Sequence, residues 1–277
     1  MDAWRRLPVQ HNTVRARRHR QAVLEWVAMW QDVVDLNAFY ESRRGQVARR
    51  MIRRRIRALW PDVRDQSLLG LGYATPYLDL FRAEAQRVIA MMPASQGVMP
   101  WPRNERRRVA LADEAELPLP EESIDRVILV HAVECSEQLR SMLREIWRVM
   151  AGGGRLLVVA PNRRGIWARL ERTPFGQGHP FSPPQLSRLL HESMFSPLQT
   201  ASALYIPPST SRMMLRFAGA WEGLGERWGL PLAGVVIVEA GKQVYAAHPE
   251  RLPHRTRRQG YRRFVGRPVP TPRVLHR

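Results

Sequence analysis

The sequence has almost no cysteine and almost no lysine. Cys135 is the only cysteine among 277 residues, which excludes a disulfide scaffold and a metal site built from several cysteines. Lys242 is the only lysine among 44 basic residues, and we interpret this arginine bias as codon usage in a GC-rich genome. No apolar run reaches the roughly 18–20 residues of a membrane span. With 44% apolar residues the chain can bury a full core, and we expect a soluble, cytoplasmic protein.

Acidic residues are scarce, and the resulting net charge of +19 is concentrated at the two ends. Residues 1–30 carry six arginines against two acids, and residues 240–277 carry ten basic residues against Glu250. The long middle segment is only mildly basic. The charge indicates attraction to phosphates or anionic surfaces, but it carries no information on the fold.

Both ends are predicted to be extensions of a folded middle. Residues 1–30 lack the apolar stretch of about 7–15 residues that a secretory signal needs, Asp2 argues against a mitochondrial presequence, and Met29 offers an alternative start. Residues 243–277 contain five prolines and no periodicity, which predicts a basic disordered tail. The expected organisation is therefore a basic extension over 1–30, one domain over 31–242 and a tail over 243–277.

Residues 43–60 combine an apolar side and an arginine-rich side at helical spacing. The apolar side includes Val47, Met51, Ile52 and Ile56, and seven arginines fill the other side. Such a helix either packs on a core with a solvated polar face or contacts nucleic acid or a membrane surface. We favour the first interpretation.

The rest of the middle segment alternates short apolar runs with helical ones. Strands are predicted at 67–71, 87–92, 109–112, 126–133, 155–160, 200–206 and 234–239, and helices at 76–86, 139–150, 184–194 and 210–228. Thr75 is expected to cap the first of these helices, and the glycines at 152–154 are expected to turn the chain into the fifth strand. The order predicts an α/β fold: a doubly wound, mostly parallel, seven-stranded Rossmann-like sheet with helices on both faces. Ligands would bind outside the carboxyl ends of its strands.

The first strand leads into a glycine turn, SLLGLGYATPYLDL. Gly70 and Gly72 let the backbone turn tightly and approach a ligand, and Ala74 is small where the helix meets the strand. Alone the motif is weak evidence for a ligand, because a tight strand-to-helix turn without one needs the same residues.

Further motifs follow in a fixed order after the glycine turn. They are VALADEAELPLPEESIDRVILVHAVE and REIWRVMAGGGRLLVVAPN. As an ordered set, from about residue 68 to 162, these motifs resemble the class I S-adenosylmethionine-dependent methyltransferases, in the branch whose small-molecule members carry similar LPF-x-x-x-S-F-D and R-V-L-x-P-G-G motifs. The resemblance implies S-adenosylmethionine as cofactor and methyl transfer to a small molecule, or to an anionic or RNA-associated substrate.

The resemblance also implies which residues contact the cofactor. The turn would lie beneath the methionine part, an acid after the third strand would accept a hydrogen bond from the adenine amino group, and the end of the fourth strand would face the sulfonium and the substrate. The turn consists of Gly70, Leu71, Gly72 and Tyr73. The adenine-binding acid is Asp113, with Glu114 and Ala115 beside the ring. The residues at the end of the fourth strand are Val130 and His131.

Two acids that the family carries are missing. The acid that holds the ribose hydroxyls falls at Met92 or Pro93, and the acid before the first glycine is replaced by Leu68. Losing a charge-assisted contact costs about 1.5–3 kcal/mol, or roughly one to two powers of ten in affinity. Glu84 is not in an obvious position to substitute.

His131 is the candidate catalytic base, because its free pKa lies near working pH and it follows the fourth strand. Glu134 is a second candidate. The structural alternative is that His131 forms a hydrogen bond at the strand end and Glu134 starts the next helix. Cys135 is expected to pack rather than react, and no metal-ligand spacing occurs, so no metal is predicted.

Residues 163–184 are interpreted as a lid over the site, or as an ordinary connecting loop with buried aromatic residues. The candidate substrate-facing residues are Trp167, Phe175, His179 and Phe181.

A second hypothesis is a non-catalytic protein on the same fold that binds nucleic acid or protein through its basic ends. In RTRRQGYRRFVGR, Tyr261 and Phe264 interleave with arginines, a composition suited to RNA. The alternative for these residues is a solvated tail with no partner.

Overall fold

The structure is a computed structural model, and it describes residues 32–170, 173–209, 211–227 and 232–243. The predicted basic extension at 1–30 and the predicted tail from residue 244 onward lie outside these described residues. Gln243, the first residue assigned to the tail, is described, and its backbone N–H donates to the Met194 carbonyl at 3.0 Å.

Seven strands form one sheet in the order β3-β2-β1-β4-β5-β7-β6. They are β1 (Ser67–Gly72), β2 (Arg87–Pro93), β3 (Val109–Ala112), β4 (Ile124–Val130), β5 (Met150–Pro161), β6 (Phe195–Ala203) and β7 (Val235–Lys242). The first five strands run parallel to one another, and β7 lies antiparallel between β5 and β6. The predicted doubly wound, mostly parallel seven-stranded sheet is therefore confirmed.

Helices cover both faces of this sheet. They are α1 (Val33–Glu41), α2 (Arg43–Leu59), α3 (Thr75–Leu78), α4 (Leu139–Val149), α5 (Pro183–Glu192), α6 (Arg212–Arg216) and α7 (Ala218–Arg227), with short 3-10 turns at Trp167–Arg169 and Pro174–Gly176. Residues of α1, α2 and α3 share one buried core with Trp60 and Phe175. Residues of α4 and α5 fill the core of the opposite face.

The arginine-rich helix packs as the sequence predicts. Val47, Met51, Ile52 and Ile56 are all buried, and the Ser42 hydroxyl caps the helix by accepting from the Gly45 N–H at 3.1 Å. The arginines of the other side remain exposed or partly exposed. The preceding helix α1 was not predicted.

The helix predicted at 76–86 is wrong in length. It ends at Leu78, and Thr75 is its first residue rather than its cap, which is Ala74. Beyond Leu78 the chain tightens into turns, with the Phe81 N–H donating to the Leu78 carbonyl. The tightening buries Phe81 against Trp60, with ring centroids 6.1 Å apart, so core packing overrides local helix propensity.

Other elements also differ from the predictions. The single helix expected at 210–228 is two helices that meet at Phe217, and the strand expected at 200–206 begins earlier, at Phe195. The glycines at 152–154 lie within β5, where pairing with β4 shifts between Met150 and Arg155. They absorb an irregularity of the strand rather than form the turn before it. Among the described residues, none of the helices is both long and apolar enough to span a bilayer.

Candidate functional site

The candidate site lies where β1 and β4 end side by side. Gly72 pairs with Val130 at the last position of both strands, and the Tyr73 N–H donates to the Val130 carbonyl at 2.8 Å. The chain leaves β1 toward β2 on one side and β4 toward β5 on the other. This is the switch point of the sheet, where ligands of open α/β folds bind.

The two glycines of the turn are required by the packing of the protein itself. A Cβ atom on Gly72, whose φ is +81°, would lie 2.3 Å from the Val130 carbonyl oxygen. A Cβ atom on Gly70 would lie 2.6 Å from Leu78 and 2.7 Å from Ala74. The glycine turn therefore needs no ligand to explain it, and the argument for a ligand depends on other residues.

His131 follows β4 directly and is only 1% exposed. Its Nδ1 lies 3.0 Å from Oε1 of Glu134, and its Nε2 lies 2.9 Å from the Tyr40 hydroxyl. A carboxylate only accepts hydrogen bonds, so Nδ1 carries a proton, and in the neutral imidazole Nε2 then accepts from Tyr40. Burial raises the pKa of Tyr40 well above its usual value, which keeps this hydroxyl protonated.

The predicted lid segment packs over His131. The Phe175 ring lies 5.1 Å from the imidazole and 5.7 Å from Trp167, and both aromatic residues are buried. The His179 N–H donates to the Glu134 carbonyl at 2.8 Å, while the His179 side chain is exposed. Phe181 is half-buried against the opposite core. The segment thus covers the end of β4.

Gln96 is a site residue that the sequence did not reveal. It lies three residues after Pro93, the end of β2, and is buried. Its Nε2 donates to the His131 carbonyl, so the side chain spans from the end of β2 to the end of β4. Its Oε1 is buried without a hydrogen-bond partner among the described residues. The sequence offered one signal for Gln96: it is a polar residue just after β2, the strand on which the expected ribose-binding acid is missing.

The predicted adenine-binding residues follow β3. Oδ1 of Asp113 accepts from the Ala115 N–H at 2.9 Å, and the carboxylate is otherwise exposed. Glu114 accepts from the Ser136 hydroxyl at 2.5 Å, and burial raises the pKa of its carboxyl group. Since Ser136 lies in the segment after β4, this hydrogen bond joins the segments that follow β3 and β4.

The structure describes the position of the missing ribose-binding acid, and it also describes Glu84 and Cys135. Met92 and Pro93 are buried at the end of β2. Glu84 is engaged elsewhere, because its carboxylate forms two hydrogen bonds with the Arg57 guanidinium at 2.6 and 2.9 Å. Burial raises the pKa of the Cys135 thiol, which disfavours the reactive thiolate.

A cavity of about 290 Å³ lies beside Tyr40 and Tyr73. It is also lined by Trp101, Arg49 and Arg82. Arg82 is paired with Asp79 and Glu105, whereas Arg49 forms no ion pair within the part of the chain that is described. The cavity therefore combines aromatic walls with one uncompensated guanidinium.

Comparison with known proteins connects this geometry to a family. A family model described as "Methyltransferase domain" matches residues 69–158, from β1 into β5. Two probable S-adenosylmethionine-dependent methyltransferases, from two strains of Mycobacterium tuberculosis, are each 37% identical over 95 residues, which is 34% of this chain and 34% of each relative. The match thus spans about a third of these relatives.

Solved structures share the fold more widely. A Thermotoga maritima methyltransferase, described as a possible histamine N-methyltransferase, is 17% identical with a TM-score of 0.53, covering 76% of this chain and 96% of that one. A chain from the Haloferax volcanii complex of the Trm112 methyltransferase activator with a putative methyltransferase is 14% identical with a TM-score of 0.55, covering 77% and 99%. Residues 69–158 therefore match a methyltransferase domain, and the chain shares the fold of these solved methyltransferase structures.

Proposed function

We propose that this protein binds S-adenosylmethionine at the switch point and transfers its methyl group to a small molecule. The observation that carries the proposal is the orphaned Oε1 of Gln96, a buried acceptor held at the ends of β2 and β4. A buried acceptor without a donor costs about 1–3 kcal/mol. A bound ligand that donates a hydroxyl or amino proton at this point removes that cost.

The residues at the site fit this cofactor. Gln96 offers an acceptor close to where the acid is missing at Met92 and Pro93, and an amide oxygen accepts from a hydroxyl or amine without the charge of a carboxylate. Asp113 presents an exposed carboxylate at the end of β3, suited to an amino group of a purine. The turn from Gly70 through Leu71 and Gly72 to Tyr73 lies at the end of β1, beside Val130 at the end of β4.

The chemistry divides between the cofactor and the chain. When bound, S-adenosylmethionine would supply an electrophilic methyl group on sulfur, with the neutral thioether as its leaving group. The chain holds the acceptor in line, which supplies most of the rate for such a transfer. If the acceptor is a hydroxyl or a protonated amine, its proton passes through the Tyr40 hydroxyl to Nε2 of His131. Glu134 then stabilises the imidazolium that forms.

The acceptor we infer is a small aromatic or flat molecule with an anionic group. Supporting this, the cavity beside Tyr40 has room for a small molecule and places Arg49 next to Trp101 and Tyr73. An unpaired guanidinium in such a setting favours a carboxylate or phosphate. No observation favours the non-catalytic alternative, and its basic ends lie outside the described residues.

Calorimetric titration of the full chain with S-adenosylhomocysteine tests the proposal. The unaltered protein is expected to bind, and Gln96→Leu and Asp113→Asn are each expected to weaken binding by roughly tenfold or more. Glu121→Gln, a charge change at an exposed residue before β4, is the matched control and should leave affinity unchanged. Absence of binding at millimolar ligand, by a protein that is folded by circular dichroism, would overturn the proposal.

A further inference from the structure

The connection between β6 and β7 carries a stripe of exposed apolar side chains. Met213, Phe217, Trp221 and Leu224 are 71%, 60%, 44% and 49% exposed, respectively. Met213 lies on α6, Phe217 lies at the junction of the two helices, and Trp221 and Leu224 lie three residues apart on one face of α7. A cluster of large exposed apolar side chains marks an interaction site, whereas single exposed apolar residues are ordinary.

The opposite side of α7 is firmly packed, so the exposure of the stripe is fixed by the fold. Ala218 and Glu222 are buried, and the two carboxylate oxygens of Glu222 each accept a backbone N–H at 2.8 Å, from Leu204 and from Tyr205. A Cβ atom on Gly225 would lie 2.3 Å from the Tyr205 ring. The helix therefore cannot turn its apolar stripe toward the core.

Cationic side chains flank the stripe. A groove of about 420 Å³ between α2 and α6 is lined by Arg43, Arg50 and Arg216 together with Gln46, Val47 and Leu215. None of its lining residues is acidic, and within the described ranges none of the three arginines forms an ion pair. The surface thus combines apolar side chains with uncompensated positive charge.

The stripe belongs to the edge of the sheet that carries the candidate site. Strands β5 and β6 both run antiparallel to β7, so β6 runs in the same direction as β5. The segment that follows β6, which contains α6 and α7, therefore emerges at the carboxyl ends of the parallel strands.

We propose that the stripe, with Arg43, Arg50 and Arg216, docks on an anionic lipid surface. Aromatic and aliphatic side chains enter the boundary between headgroups and acyl chains, while guanidiniums contact lipid phosphates. The mixture favours lipid over nucleic acid, because Met213 and Leu224 offer no flat face on which a base stacks. This surface is separate from the cofactor residues, so the proposal is independent of the proposed function.

Co-sedimentation of the full chain with vesicles tests this docking. Binding is expected to vesicles of phosphatidylcholine mixed with phosphatidylglycerol, and to be much weaker with phosphatidylcholine alone. The double variant Phe217→Ser/Trp221→Ser should weaken binding roughly tenfold or more, because two large side chains no longer leave water. Arg43→Ser/Arg50→Ser should weaken it to a similar degree.

Matched controls separate this surface from the rest of the chain. Leu198→Ser removes an equally exposed apolar residue, 46% exposed, on β6, and Arg106→Ser/Arg107→Ser removes two exposed arginines of the β2–β3 connection. Both should bind as the unaltered protein does. Unchanged vesicle binding by the Phe217/Trp221 variant would overturn the proposal, and so would equal losses in the controls. The proposal would also be overturned if the variant lost affinity for an unstructured RNA oligonucleotide but not for vesicles.

Discussion

The Tyr40 hydroxyl lies 2.9 Å from Nε2 of His131, although the two residues are 91 positions apart. Tyr40 also lies 2.9 Å from the Tyr77 hydroxyl, and His131 lies 3.0 Å from Glu134. With Glu134 as a carboxylate and His131 as a neutral imidazole, Nδ1 donates to Oε1 of Glu134, Tyr40 donates to Nε2, and Tyr77 donates to Tyr40. Helix α1 is thereby connected to the end of β4 through a buried polar chain.

The first prediction concerns which groups donate the hydrogen bonds in this buried polar network. The neutral imidazole of His131 is expected to carry its proton on Nδ1, which nitrogen-15 NMR of labelled protein can show directly. Tyr40→Phe removes the donor to Nε2 and leaves a buried nitrogen unpaired, at an expected cost of about 1–3 kcal/mol in the free energy of unfolding. Tyr77→Phe, which leaves the Tyr40–His131 bond intact, should cost less. A proton found on Nε2 instead would contradict the assignment.

The second prediction concerns the glycine turn. Gly72→Ala places a Cβ atom 2.3 Å from the Val130 carbonyl at a φ of +81°, so the backbone must shift. Urea unfolding without any ligand should show a loss of about 3 kcal/mol or more. Gly153→Ala is the matched control, because its Cβ atom would meet nothing within 4 Å, and its effect should stay within about 0.5 kcal/mol. Equal stability of both variants would show that the turn can relax.

The centre of the sheet could be predicted from the sequence because β1, β4 and β5 are largely buried on both faces, and such strands are recognisable as apolar runs such as RVILV before His131. The positions of the glycine turn and Asp113 after their strands likewise predicted a site at the carboxyl ends of the strands. Helix α1 and Gln96 could not be predicted, since both owe their positions to contacts with residues distant in sequence. Phe81 and the short α3 show the same limit: burial against Trp60 decided where the helix ends.

The third prediction concerns a buried charge on β7. Glu239 is buried, accepts from the Trp60 indole N–H at 3.0 Å and lies 3.7 Å from the Arg126 guanidinium. Arg126→Met removes the cation and should destabilise the protein by about 2–4 kcal/mol. Adding Glu239→Gln, which keeps an acceptor for Trp60, should recover part of that loss.

An exposed ion pair provides the comparison for this charge. Arg64 and Asp62 lie 2.7 Å apart with side chains 74% and 52% exposed, and Arg64→Met should destabilise the protein much less than Arg126→Met does. A double-mutant cycle on Arg126 and Glu239 that closes with no coupling energy would show that the two buried groups do not interact.

The last prediction concerns stability in alkaline solution. Burial raises the pKa of Tyr73 to about 12, while a tyrosine in the unfolded chain titrates near pH 10. The unfolded state therefore releases this proton first, so the contribution to stability is fully present below about pH 10 and is lost as the pH rises to about 12. Tyr73→Phe removes this titration, and the variant should lose less stability than the unaltered protein between about pH 9 and 11. Urea unfolding of both proteins at the two pH values measures the difference directly.

Tyr40 and Tyr77 also have raised pKa values through burial, so the variant should retain part of the alkaline sensitivity. Parallel losses in the two proteins would show that Tyr73 ionises as easily in the folded state as in the unfolded one.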